Sequence, residues 1–259
     1  QPVGSQLSSA LAALRRGVFV GRHAERAVLD DALKHARTGE RHAVLISGEP
    51  GLGKSTLVAA FAGEAVDAGA TVVYGRCDEE LRIPYQPWIE ALSELLRSLP
   101  STVIDDHVAA RGRMLGRLVP ELREIAPDGG GRTADDEAER HMMFVAAVDL
   151  LQRASSDGPV VVVLDDLHWA DPGTVQLLRW VLTTPVDGQL LFVVTFRDYD
   201  VDSTHPLADL LAVLHRQPAV DRLPLTGLSD LDVLSMLETL AGHEMDGAGL
   251  RLRDELLAE

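Results

Sequence analysis

The feature that most constrains the fold is the segment Gly48-Glu49-Pro50-Gly51-Leu52-Gly53-Lys54-Ser55-Thr56. It lies between an apolar run, Ala43-Val44-Leu45-Ile46, and a helical pattern that begins Leu57-Val58-Ala59-Ala60-Phe61-Ala62. The spacing G-x-x-x-x-G-K-[ST] in a strand-to-helix setting is that of a phosphate-binding loop. Its glycines let the backbone curl until successive N–H groups and the helix N-terminus converge on phosphate oxygens. In this reading Gly48, Glu49, Pro50, Gly51, Leu52, Gly53, Lys54, Ser55 and Thr56 hold a nucleotide. Lys54 reaches the β/γ-phosphates, and Ser55 ligates Mg²⁺. The other reading is a glycine-rich turn with an accidental lysine.

A second apolar run, Val160-Val161-Val162-Val163-Leu164, leads directly into Asp165-Asp166. β-Branched residues ending in two acids read as a buried parallel strand that delivers carboxylates to its C-terminal edge, where ligands bind in open α/β sheets. Asp165 is the candidate to hold Mg²⁺ through its water shell, and Asp166 the candidate to orient or polarise an attacking water. An N-cap followed by a solvated acid is the alternative for this pair.

The chain has 259 residues, 46% hydrophobic and 25% charged, enough for a substantial core in one large domain or a domain plus a small appendage. Its net charge of −16 is opposite in sign to the basic footprint of a nucleic-acid binder, so no direct nucleic-acid binding by this chain is expected. Apolar runs are strand-sized and no signal peptide is recognisable, so no membrane partner and a cytoplasmic location are expected. Cys77 is the only cysteine, which excludes internal disulfides and multi-thiolate zinc sites. Lys34 and Lys54 are the only lysines, so one of the two lies in the phosphate loop. Gln1 and Glu259 are read as the ends of a piece of a longer polypeptide.

Along the chain, a lead-in with a short amphipathic helix over Leu7 to Leu14 precedes a helix over Glu25 to Ala36. Its apolar face is Val28, Leu29, Ala32 and Leu33. Beyond the phosphate-loop helix, Thr71-Val72-Val73-Tyr74 reads as a strand, and Gly75 to Glu80 as a solvated acidic loop. Pro87 suits the first turn of a helix reaching Leu96. Tyr85 and Trp88 read as core or as base contacts. A loop is expected at Pro127 to Gly131, and a long helix over Ala134 to Ala154. Asp171-Pro172 reads as a helix cap and first residue.

The strand Leu190-Leu191-Phe192-Val193-Val194 ends in Thr195-Phe196-Arg197. Arg197 is a candidate catalytic cation that senses or neutralises a γ-phosphate. Its alternative is an ion pair with Asp198 or Asp200. His168 either approaches the nucleotide or packs locally. A last strand is expected at Arg222 to Leu225. Ser229, with Asp232 three residues on, signals the start of a helical section that runs past Gly247-Ala248-Gly249 to a helix over Leu250 to Leu257.

Four features taken together carry a family resemblance: Val20-Gly21-Arg22, the loop Gly48 to Thr56, the stretch Leu164-Asp165-Asp166-Leu167-His168-Trp169-Ala170-Asp171-Pro172, and Thr195-Phe196-Arg197. Their combination resembles the STAND class of AAA+-related P-loop ATPases. It is closest to the ATPase module of large bacterial transcriptional regulators of LuxR and antibiotic-regulatory type. The resemblance implies an α/β P-loop NTPase with a five-stranded parallel sheet, the phosphate-loop strand central, flanked by helices and followed by a partial helical lid. It implies Val20 and Arg22 near adenine or its ribose, and Thr195 and Arg197 sensing the γ-phosphate. The organisation expected is a lead-in over 1–17, an ATPase core over 18–228 and the start of a lid over 229–259.

The functional expectation is a slow, Mg²⁺-dependent ATP-hydrolysing switch, with ATP/ADP and Mg²⁺ as cofactors. Lys54, Asp166 and Arg197 are its catalytic groups, and Ser55 and Asp165 its metal ligands. Partners expected are other domains of the same polypeptide, including a DNA-binding output domain, and further copies of the chain when ATP is bound. The alternative is a nucleotide-locked scaffold with structural ADP.

Overall fold

The computed structural model describes residues 7–17, 19–81, 83–116, 118–125 and 136–241. Helices α1 (Ser9–Leu14) and α2 (His23–Arg37) lead into strand β1 (His42–Ser47), and α3 (Lys54–Asp67) leads into β2 (Thr71–Arg76). Four helices follow: α4 (Gln86–Ser98), α5 (Ser101–Leu115), α6 (Pro120–Ile125) and α7 (Asp136–Ala154). Then β3 (Val160–Asp165), α8 (Pro172–Thr183), β4 (Leu190–Phe196), α9 (Pro206–Leu214), β5 (Val220–Pro224) and α10 (Asp230–Ala241) complete the described chain. The five strands form one parallel sheet in the order β2-β3-β4-β1-β5, the α/β P-loop arrangement expected. One detail is corrected. The phosphate-loop strand β1 is interior but not in the middle, a place taken by β4, because only β5 adds outside it.

Helices cover both faces of the sheet, so β1, β3 and β4 are buried at every position and read as unbroken apolar runs. The period of two still sorts their side chains. Val160, Val162 and Leu164 join Leu190, Phe192 and Val194 in a core beneath α4, α7 and α8, whereas Val161, Val163, Leu191 and Val193 pack beneath α1, α2 and α3. Leu11 of α1 is fully buried in this second core, so the lead-in packs against the P-loop helix layer from Ser9 onward.

Three stretches differ from the sequence expectation. Strand β2 runs two residues further, through Gly75 and Arg76, which pair with Leu164 and Asp165 of β3. As an edge strand it would present unpaired N–H groups, and α4 answers them: Glu94 accepts from Tyr74 N–H and Glu90 from Arg76 N–H, each at 2.9 Å. Helices α5 and α6 were not anticipated. Pro100 forces Leu99 into an extended conformation and ends α4, and α5 restarts immediately beyond it. Helix α5 is pinned to α7 by buried His107, whose Nδ1 lies 2.8 Å from Asp149. The expected loop at 127–131, the first two residues of the long helix, and the expected features beyond 241 lie outside the described residues.

Among the described residues no helix is long and apolar enough to cross a membrane. Trp88 and Tyr85 take the core reading. Trp88 is fully buried and donates to Thr174 O at 3.2 Å, and Tyr85 packs edge-on against Phe144.

Strand β2 and α4 meet so closely at Gly75 that a Cβ there would lie 1.8 Å from the Pro87 carbonyl oxygen. Backbone cannot swing aside as a side-chain tip can. Gly75→Ala is therefore expected to cost about 1–3 kcal/mol of stability, read as a lowered urea midpoint.

Candidate functional site

Register brings the chemistry-bearing residues to one edge. Ser47 pairs with Phe196, Ile46 with Thr195 and Arg76 with Asp165, so the phosphate loop, the two acids and the β4 terminus all emerge at the C-terminal edge of the sheet. The loop turns through glycines at positive φ. Gly53 (φ 85°) begins α3 in the left-handed region, a conformation costly for a residue with a Cβ. Gly48 (φ 146°) passes so near β5 that a Cβ would lie 2.8 Å from Leu225 O. Glu49, Pro50 and Gly51 form the exposed crown, and Leu52 is half-buried beneath it.

Lys54 is buried, and its Nζ donates to the carbonyls of Gly48 at 2.7 Å and Glu49 at 2.9 Å. Burial lowers its pKa, opposed by the Asp166 charge and reinforced by the Arg197 charge. The ammonium thus lies within the field of both candidate catalytic groups.

Asp165 is 1% exposed and accepts three side-chain hydrogen bonds. Ser55 Oγ donates to its Oδ2 at 2.9 Å, Tyr74 Oη donates to the same oxygen at 2.9 Å, and Thr195 Oγ1 donates to Oδ1. Burial, followed by the Asp165 charge, pushes the Tyr74 phenol well above its ordinary value, which keeps it a donor. Thr195, fully buried, also accepts from the backbone N–H of Asp166 at 2.9 Å. Both ends of its hydroxyl are therefore used within the protein. The paired hydroxyl of Ser55 and carboxylate of Asp165 are hard oxygen donors held together, a set whose chemistry fits a hard cation such as Mg²⁺.

Asp166 takes the left-handed conformation (φ 59°, ψ 42°) and opens a single 3₁₀ turn, Leu167–Trp169. Arg76 grips its carboxylate through Nε at 2.9 Å and Nη2 at 2.8 Å. The sequence reading missed Arg76, because it ended the strand at Tyr74 and took the following residues for solvated loop. The available signal was the alternation Val72, Tyr74, Arg76, which carries the strand face on to the edge. Asp171 caps α8 as expected, accepting from Gly173 and Thr174 N–H groups.

Arg197 lies beside Asp200, with Nη1 3.6 Å from Oδ2, so the ion-pair alternative is present. His168 is 3% exposed, and neither ring nitrogen has a hydrogen-bond partner among the described residues. Burial pushes its imidazole down to about 4.

Val20 and Arg22 line a cavity of about 480 Å³ beside the loop, together with Phe19, Leu52, Thr56 and, from α10, Val233 and Met236. Arg22 is itself buried, in the left-handed region, and its guanidinium is committed to three partners. These are Glu25 at 2.8 Å, Leu52 O at 3.2 Å in the phosphate loop and Thr226 O at 2.6 Å in the connection to α10. At Gly21 (φ 66°) a Cβ would fall 2.3 Å from the Asp232 carboxylate in the first turn of α10, so a side chain there would push that carboxylate aside. Ser229 donates to that carboxylate at 2.7 Å and accepts from Asp232 N–H at 3.2 Å, the cap expected from the sequence.

A family model described as the AAA ATPase domain matches residues 18–194, more than half of the chain. The chain belongs to this AAA ATPase family. No curated protein matches it. Two solved structures are similar over nearly its whole length. One is a STAND protein, a signal transduction ATPase with numerous domains, that carries a tetratricopeptide repeat sensor, from Pyrococcus horikoshii (17% identity, TM-score 0.49, 98% of this chain and 30% of that one). The other is the Drosophila ORC bound to DNA (15% identity, TM-score 0.43, 97% of this chain and 52% of that one). The AAA ATPase domain described here thus spans about a third to a half of the length of those chains. Family membership makes it a nucleotide-binding module.

The depressed His168 pKa has a thermodynamic consequence. An unfolded chain binds a proton at this residue near pH 6.5, whereas the folded one does so only near 4, so stability falls as pH drops through that window and levels off below it. His107, lowered chiefly by burial, acts in the same direction. His168→Leu is expected to flatten the acid limb by up to about 3 kcal/mol, measured as urea unfolding free energy between pH 7 and pH 4.

Proposed function

We propose that this AAA ATPase domain is an ATP-binding, slowly hydrolysing, Mg²⁺-dependent switch module within a larger signalling or transcription-regulating protein. The observation that carries this reading is the Ser55–Asp165 hydrogen bond at the mouth of the phosphate loop, with Asp166 next in the chain and Lys54 buried alongside. A phosphoryl-transfer site needs little covalent chemistry from the protein. It needs cations and fixed donors around the transferring group, and a residue that orients the attacking water.

In this reading the N–H groups of 48–56 and the α3 N-terminus hold the phosphates. Lys54 leaves the Gly48 and Glu49 carbonyls to meet the β/γ-phosphates. Ser55 and Asp165 would hold Mg²⁺, which would supply charge neutralisation at the phosphates. Asp166 orients the attacking water, and Arg197 meets the γ-phosphate. Thr195 acts one step back: its hydroxyl fixes Asp165 and the Asp166 backbone, so it transmits γ-phosphate state through the acids. Val20 and Arg22 shape the base end of the cavity, with the Arg22 guanidinium fastening loop and lid connection to one another.

The combination of Val20-Gly21-Arg22, the acidic-pair stretch and Thr195-Phe196-Arg197 supports the STAND-type regulator context. Output domains elsewhere in the polypeptide, assembly in the ATP state, a cytoplasmic location and the 18–228 core with a lid from 229 belong to the same proposal. A second reading, a nucleotide-locked scaffold, is favoured by the Arg76 grip on Asp166, which keeps that carboxylate engaged.

Phosphate release by the purified protein, with Mg²⁺ present or chelated, tests the switch. Release that needs Mg²⁺, vanishes in Lys54→Ala and drops about 100-fold or more in Asp166→Asn is the expected result. An Asp166→Asn protein as fast as the parent would falsify the role given to Asp166. Tight ADP that exchanges only on unfolding, without release, would establish the scaffold instead.

A further inference from the structure

The turn beyond β4 contains a restraint on Arg197 that the switch reading leaves unused. Arg197 and Asp200 are each about one-third exposed, with Nη1 and Oδ2 3.6 Å apart. The same Asp200 oxygen lies 3.9 Å from Nε2 of His168, in the turn beyond β3. His205 Nε2 closes on the His168 carbonyl at 3.0 Å, so the two turns are tied together around this carboxylate. His168 cannot compete for its charge near neutral pH, because burial keeps the imidazole neutral down to about 4. The counter-charge of Asp200 goes to Arg197.

Arg197 needs that counter-charge. Its guanidinium lies close enough to help lower the Lys54 pKa, so the two cations repel one another. A γ-phosphate between them would relieve the repulsion. An ADP, with nothing at that place, would leave Arg197 on Asp200. Tyr199, between the two partners in sequence, is 93% exposed, so its own side chain does not fix the Arg197–Asp200 pair in place.

We propose that Asp200 is a positioning residue that holds Arg197 in reserve and yields it to a γ-phosphate, so that ATP competes with an internal carboxylate while ADP does not. The inference rests on the reading of Arg197 as the γ-phosphate cation. Because the pair is partly exposed, its grip is modest and it trims nucleotide discrimination rather than dominating it. A carboxylate that instead aimed Arg197 at the phosphate would give an effect of opposite sign.

Displacement of mant-ADP by AMP-PNP and by ADP, in Mg²⁺, measures the discrimination directly. Asp200→Asn is expected to raise the preference for AMP-PNP over ADP roughly two- to fivefold, almost all of it through AMP-PNP. Asp200→Glu should restore the parent ratio. In an Arg197→Ala background Asp200→Asn should add nothing, since the partner it releases is gone. A structural role for Asp200 would weaken both nucleotides equally, and an unchanged or reduced ratio in Asp200→Asn, with Arg197→Ala still lowering the parent ratio, overturns the proposal alone. A parent ratio unaltered by Arg197→Ala removes the reading beneath it as well.

Discussion

One carboxylate organises this structure. Asp165 closes β3, and three hydroxyls from three other elements converge on it: Ser55 from α3, Tyr74 from β2 and Thr195 from β4. Hydrogen bonds to a charged group contribute roughly 1.5–3 kcal/mol each, and leaving such donors unpaired in a buried site costs at least as much. The phosphate-loop helix and the strands β2 and β4 are therefore held to β3 by one atom group. Thr195 passes the constraint on, since the oxygen that donates to Asp165 also accepts the Asp166 N–H. Anything that draws Ser55 or Asp165 towards a metal must adjust a network that spans the sheet edge.

Around this hub each remaining charge has an internal partner. Asp166 is gripped by Arg76, Arg197 faces Asp200, and Lys54 donates to loop carbonyls. Pairs of this kind at a partly exposed edge are easily exchanged, because their net worth is about 0–1 kcal/mol. A phosphate with its metal offers more charge than any one internal partner. In the proposed switch, ligand binding would replace these internal contacts, which lie on different elements: β2, the turn beyond β4 and the phosphate loop. Arg22 extends the linkage to the connection before α10 through Leu52 and Thr226, and Gly21 admits the first turn of α10 against it.

Much of this was readable before any coordinates. The loop spacing, the strand ending in Asp165-Asp166, the Asp171-Pro172 helix start and the Ser229 cap are local patterns whose chemistry lies within a few residues. Others depended on partners far along the chain. Tyr74 read only as a strand residue, yet its parity with Val72 places it on the same face as Val161 and Val163, the face on which Asp165 also falls. Arg76 was taken for loop because a composition shift towards acids follows it. The extension of β2 is stabilised by Glu90 and Glu94 on a different element, which no local propensity reports. Helices α5 and α6 were not legible because Pro100 breaks the pattern, the buried face of α5 answers to α7, and α6 packs on α5 and bonds to α4 through Glu121.

The sequence alone determined the class of chain: unbroken apolar runs alternating with helical stripes, a glycine loop with the spacing of a phosphate-binding loop, and acids at a strand end. These are set by covalent spacing, backbone sterics and burial, which act over a few residues. Tertiary structure decided which charges meet. The order β2-β3-β4-β1-β5, the Arg76–Asp166 pair, and the bridge from Arg22 to the connection before α10 depend on strand register and helix docking. These bring groups tens or hundreds of residues apart to within 4 Å, and a Coulombic or hydrogen-bonded contact has no signature in a chain until folding sets its distance.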